Sequence, residues 1–208
     1  NDLFIDFPVA DLNGMAVRLR GIPQDGYRFT RQDGTYMMRT PMTAGGVDEA
    51  LPADATLTWE AFLPQYLAML EQVAPDIADQ LQGLSAPDAA QVATDLGLLD
   101  PRTDTFVSLE GSDIDDVPGD SRVITDAIEL GYKGRLGSSV SLAVDLYRTH
   151  VTDFYGELYA VTPSVMFDEA TLSSYFETEG GLSPEEAAVA AGLAAMIPVG
   201  TVAPDGET

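Results

Sequence analysis

The sequence predicts a mixed α and β chain organised around one long antiparallel β-hairpin. Three observations predict it: two alternating runs within residues 124–154, an aromatic and Leu stripe at helical spacing after Thr56, and a helix-opening box at Ser183. In the first run Ile124, Ile128, Leu130 and Tyr132 share one parity, while Thr125, Ala127, Glu129, Gly131 and Lys133 share the other. The second run repeats this, with Val140, Leu142, Val144 and Leu146 against Ser141, Ala143, Asp145, Tyr147 and Thr149. Successive strand residues point to opposite faces, so each run is a strand with one apolar and one polar surface. Gly134-Arg135-Leu136-Gly137-Ser138-Ser139 supplies the polar turn between them.

Such a hairpin fits a soluble sheet packed on a core or the wall of an outer-membrane barrel. Each run gives roughly 10 residues, enough for a tilted strand to cross a bilayer and long for a soluble strand. Glu129, Lys133 and Asp145 on the second face suit a wet lumen. Periodicity alone leaves both settings open. Pairing Leu130 with Val144 would set Asp126 opposite Arg148 and Glu129 opposite Asp145, one favourable pair and one unfavourable.

The run Ile128-Glu129-Leu130-Gly131-Tyr132-Lys133-Gly134, then Arg135-Leu136-Gly137, then Val140 to Thr149 and Val151-Thr152-Asp153-Phe154, resembles the barrel of TonB-dependent outer-membrane receptors. Ile128 stands where that family usually has an aromatic residue. The opening Asn1 to Phe7, continuing to Val17-Arg18-Leu19-Arg20-Gly21, is similar to the loop that precedes this hairpin in some of these receptors. The likeness is close over residues 124–154 and loose over residues 1–21. It implies a fragment of an antiparallel transmembrane β-barrel with long, partly helical extracellular loops. Ile128, Leu130, Tyr132, Val140, Leu142, Val144 and Leu146 would then face outer-membrane lipid. Residues 1–123 and 155–208 would be extracellular, because such barrels keep short turns in the periplasm and long loops outside. The implied role is uptake of a scarce ligand, siderophore-like, a cobalamin or a glycan, through the TonB system. The plug and TonB box fall outside these residues, so the chain alone is expected neither to transport nor to catalyse.

Composition bounds the alternatives. The 208 residues do not begin with Met and end on Pro204-Asp205-Gly206-Glu207-Thr208, as expected of a fragment. No apolar stretch reaches the ~18 residues of a membrane helix. Cysteine is absent from the sequence, which removes disulfide and thiolate chemistry from these residues. With 34 acidic and 10 basic residues the net charge is -24, the opposite of a nucleic-acid footprint. That charge serves solubility in a salt-rich setting, or collects cations.

In chain order, Tyr27 to Arg31 and Thr35 to Arg39 flank Gln32-Asp33-Gly34, a hairpin turn. Arg18, Arg20, Arg28, Arg31 and Arg39 cluster in this part of the sequence, as a cationic patch for anionic cargo or as a solvated face. Residues 43–54 read as a linker. Thr56 or Thr58 would cap a helix carrying Trp59, Phe62, Tyr66, Leu67 and Leu70, with Pro64 in its first turns. Pro75 to Leu81 and Pro87 to Leu96 read as two more helices, the second stopped by Gly97. Thr162-Pro163 favours extended backbone. Ser183-Pro184-Glu185-Glu186 opens a helix from Pro184 to about Met196, ended by Pro198.

Asp113, Asp115, Asp116 and Asp120 gather enough carboxylates for a calcium loop, although the sixth-position Gly and closing Glu of an EF-hand are missing. A solvated acidic loop accounts for the same residues. His150 alone builds no multi-histidine metal site, and no nucleophile elbow or phosphate-binding loop appears. Two other classes therefore stand beside the receptor: a secreted acidic binding or adhesion module, and an acidic hydrolase whose carboxylate pair nothing in the sequence selects.

Overall fold

The computed structural model describes residues 4–5, 19–20, 26, 28–100, 102–103, 105–109, 114–116, 123–152 and 162–204. It is a mixed α and β structure whose sheets are all antiparallel, none closed into a barrel among the described residues. No helix there is long and apolar enough to cross a membrane, which has no bearing on strands. The chain divides into two compact units. One holds Asn1–Gly26 and Pro118–Leu158, the other Tyr27–Val117 and Tyr159–Thr208.

The first unit contains β1 (Phe4–Ile5) paired with β2 (Leu19–Arg20), and the long hairpin taken up below.

The second unit starts with β3 (Arg31–Gln32) and β4 (Thr35–Arg39), which form the expected hairpin. Its turn is Asp33-Gly34, with φ of 52° and 85°, the two positive values that a two-residue turn of matching twist requires. The expected linker instead contains a short 3-10 turn, Gly46–Asp48, and β5 (Leu51–Pro52), which pairs with β4. The path β3-β4 continues through β11 (Gly200–Val202), β10 (Ser164–Phe167), β6 (Thr94–Asp100) and β7 (Thr105–Leu109). The two central strands come from beyond residue 158. Neither chain segment makes this sheet alone.

Register assigns its faces. Met38 pairs with Val202, and Val165 pairs with Leu96, so Tyr36, Met38, Val202, Val165, Phe167 and Leu96 share the face that joins the helical core. Against it pack α1 (Trp59–Val73), α2 (Pro75–Leu81), α3 (Glu169–Thr178) and α4 (Pro184–Ala195). The predicted stripe delivers Trp59, Phe62, Tyr66 and Leu70 to the core, with Leu67 half-buried. The Trp59 ring meets Phe167 and Tyr175 edge-on at 5.7 and 5.9 Å. The result is helices packed on a sheet around one shared core.

Tyr66 ties α1 to α4 by donating its hydroxyl hydrogen to the Ala190 carbonyl at 2.5 Å, and burial pushes its phenol pKa up. The α4 face of Ala187, Ala190, Ala191 and Ala194 is fully buried. Small side chains let this helix approach its neighbours closely, at the expense of area buried per residue.

Local expectations hold unevenly. The Ser183 box forms in full: the Ser183 hydroxyl accepts from the Glu186 N–H, while the Glu186 carboxylate accepts from Ser183. These bonds hold the Glu186 carboxyl below the ordinary carboxylate range. At α1 the cap is different. The Asp54 side chain accepts from Thr56 N–H and opens a 3-10 turn, while Thr58 donates back to the Ala55 carbonyl.

The predicted helix over Pro87 to Leu96 is incorrect. Asp88 accepts from Ala90 and Gln91, closes a single turn, and the chain then enters β6, held between β10 and β7. Gly97 sits inside that strand rather than ending a helix. A Cβ there would meet the Met166 methyl and lie 3.2 Å from the Phe106 Cβ, so the sheet closes over a bare backbone.

Candidate functional site

The long hairpin comprises β8 (Ile124–Leu136) and β9 (Val140–Thr152). Apolar residues alternate with polar or small ones from Ile128 to Leu136 and from Val140 to Leu146, which keeps the two faces chemically distinct there. The turn is only Gly137-Ser138-Ser139, with Gly137 at φ 65°. The six-residue turn expected from sequence was too long, because Gly134, Arg135 and Leu136 pair with Leu142, Ser141 and Val140. Arg135 folds back to donate to the Ser138 carbonyl at 2.9 Å.

The pairing also differs from the expected one by two residues. Leu130 lies opposite Leu146, not Val144, and Tyr132 takes Val144. Asp126 therefore faces His150 rather than Arg148, and Arg148 faces Ile128. Glu129 faces Tyr147, and Asp145 faces Gly131, so the repulsive acid pair does not occur. The Asp145 carboxylate leans into the space over Gly131, where an added Cβ would lie 2.9 Å from its Oδ1.

All seven residues expected to face lipid lie on one face. Ile128, Leu130, Tyr132, Val140, Leu142, Val144 and Leu146 are 43 to 72 % exposed. Leu136, assigned to the turn in the sequence reading, joins them opposite Val140. The rows Leu136–Val140, Gly134–Leu142, Tyr132–Val144 and Leu130–Leu146, with Ile128 beyond, make one continuous apolar band. Tyr132 leans along its strand over Gly134, so the gap left by that glycine is covered by a ring. The opposite face carries Glu129, Lys133, Arg135 and Asp145 among Gly, Ala, Ser and Thr, together with exposed Tyr147 and Val151.

Of the calcium candidates, Asp113 and Asp120 lie outside the described residues. Asp115 and Asp116 are exposed, and no group of three acids or histidines that could hold a metal forms among the described residues. The neighbouring Ile114 is buried in the second unit's core, and its carbonyl accepts from the Tyr36 hydroxyl at 3.2 Å. Arg31 lies over the Tyr36 ring, 4.3 Å from its centroid, and donates to the same hydroxyl oxygen. A guanidinium is thus built into the anchor of this acidic stretch.

Of the five early arginines, Arg18 lies outside the described residues. Residues 18 and 20 belong to the first unit and residues 28, 31 and 39 to the second. Within the second, Arg31 pairs beside Tyr36 on the core face, while Arg39 pairs with Thr201 on the other and donates to the Val47 carbonyl.

Charge separates with the units. The hairpin unit has 10 acidic and 6 basic residues, whereas the α and β unit has 24 and 4. Almost the whole net charge belongs to the second. No protein family, curated protein or solved structure matches the chain.

Proposed function

We propose that this chain is a segment of a TonB-dependent outer-membrane receptor. In this reading β8 and β9 are adjacent wall strands, Gly137 to Ser139 is a periplasmic turn, and the acidic α and β unit lies outside the cell as part of the ligand-facing lid. The observation that carries it is the apolar band. A soluble hairpin of this length would bury its aliphatic face, yet every member of the band stands exposed beside a polar opposite face.

The dimensions support the reading. From Leu136 to Ile128 the band runs eight residue steps, about 27 Å along the strand and about 20 Å across a bilayer at the usual tilt, near the ~25 Å band of such barrels. The resemblance in residues 124–154 supplies the family and with it uptake of a siderophore-like ligand, a cobalamin or a glycan. A net charge far from zero on the outer unit repels anionic cargo at long range and admits neutral or cationic cargo more readily.

Single cysteines in the full-length protein test this in intact cells. Asp115→Cys is expected to react with an impermeant reagent, and Ser138→Cys only after the outer membrane is breached. Ser138 is preferred over Gly137, whose positive φ strains any side chain. A soluble protein labelled at both positions would contradict the proposal.

A further inference from the structure

The sheet of the second unit interleaves the two stretches that flank the hairpin in the chain. Strands β3 to β7 come from Tyr27–Val117, and β10 and β11 from Tyr159–Thr208. The order in space is β3-β4-β11-β10-β6-β7, so β4 and β6 are joined only through the later pair. Removing β10 and β11 would leave two separate groups, β3-β4-β5 and β6-β7, with β4 and β6 each losing the partner on one edge. The core is divided in the same way. Trp59 and Phe62 of α1 pack on Phe167 of β10, at 5.7 and 4.8 Å between ring centroids. Hydroxyls also cross between the stretches: Tyr66 donates to the Ala190 carbonyl, Tyr175 to that of Ser85 and Thr40 to that of Val199.

We propose that the two loops flanking the hairpin form one indivisible cap, in which parting one loop from the other does not serve as a gate. The inference rests on the receptor reading above, where each stretch is otherwise a separate extracellular loop. A ligand shifts a conformational equilibrium only by its differential affinity for the two states. Parting these loops exposes the shared aromatic core to water and strips backbone groups of their partners on both sides of the break. The parted state is therefore the unfolded state of the unit, not a neighbouring conformer within reach of a ligand. Two loops that had each finished folding and merely touched would separate at far lower cost.

The test is native-state hydrogen exchange, read by mass spectrometry on the full-length protein in phosphatidylcholine vesicles under conditions where rates report the equilibrium of opening. The slowest amides of β4 and β6 should open together with those of β10 and α3. Tyr66→Phe, a change on the earlier stretch, should speed exchange roughly fivefold in both stretches. Phe176→Ala, on the later one, should speed it roughly a hundredfold or more in both. A variant that speeds exchange in its own stretch alone would overturn the proposal. Tyr66→Phe keeps the core filled, so the comparison stands even where Phe176→Ala unfolds the unit. Recovery of the full-length protein from the soluble fraction, with the two stretches still opening together, would instead overturn the receptor reading and the cap's role with it.

Discussion

Leu130 stands directly opposite Leu146 across the β8–β9 ladder, one row from Tyr132 opposite Val144. Matching apolar residues row by row gives the hairpin a band with a defined centre and two defined edges. The middle row is Tyr132–Val144.

A charge at that row is expected to be the most damaging on this face. Val144→Arg should lower stability in the membrane by about 2–4 kcal/mol, with Leu130→Arg and Leu142→Arg close behind. Tyr147→Arg, on the other face opposite Glu129, should cause no comparable loss. Equilibrium unfolding from lipid vesicles measures all four.

The second unit depends on contacts between distant parts of the chain. Phe176 is fully buried beside Trp59, at 6.4 Å between ring centroids, and Phe176→Ala should destabilise the unit by about 3–5 kcal/mol. Tyr66→Phe should cost roughly 1 kcal/mol, since one hydrogen bond to Ala190 is lost with little change of volume. Denaturant titration followed by Trp59 fluorescence reports both.

The α4 box carries a pH dependence. The folded Glu186 carboxyl titrates below its unfolded value, so its contribution is present above the ordinary carboxylate range and is lost as pH falls through the lowered folded value. Glu186→Gln should flatten that part of the acid-stability profile. Unfolding curves collected at a series of acidic pH values check this, and the same pH dependence in both proteins would contradict it.

Salt should act mainly on the second unit, which holds 24 acidic residues against 4 basic. Screening shortens the range of self-repulsion, so its thermal midpoint should rise between low and moderate salt. A midpoint that falls would show that attractive pairs outweigh repulsion there.

The faces of the hairpin were legible in the sequence, and its register was not. A shift of two residues preserves parity, so Leu130 finds an aliphatic partner in either Val144 or Leu146, and apolar patterning does not separate the two. The turn decides. Gly134 to Ser139 looks like one loop because Gly and Ser are dense there, yet only Gly137 has positive φ. The helix over Pro87 to Leu96 failed for a related reason. Asp88 and the following Ala, Gln and Val satisfy a helix start locally, but pairing on both sides draws Thr94 to Asp100 into the sheet.

Other elements carried signals that periodicity could have found. Asp168 accepts from the Thr171 N–H as the cap of α3, and Leu172, Tyr175 and Phe176 follow at helical spacing. Strand β11 is different: Gly200-Thr201-Val202 is too short to announce itself, and only its place between β4 and β10 makes it a strand. The apolar set of the hairpin was readable because it depends on alternation alone.

In the proposed membrane placement the even-numbered residues from Ile128 to Leu136 and from Val140 to Leu146 meet lipid and the odd-numbered residues between them do not. The most direct measurement is a spin-label scan through Val140, Ser141, Leu142, Ala143, Val144, Asp145 and Leu146 of the full-length protein in vesicles, recording access to oxygen and to a water-soluble nickel chelate. Oxygen access should peak at Val140, Leu142, Val144 and Leu146 and fall at the residues between them. Uniform access to the nickel chelate along the strand, or alternation of the opposite phase, would contradict the account.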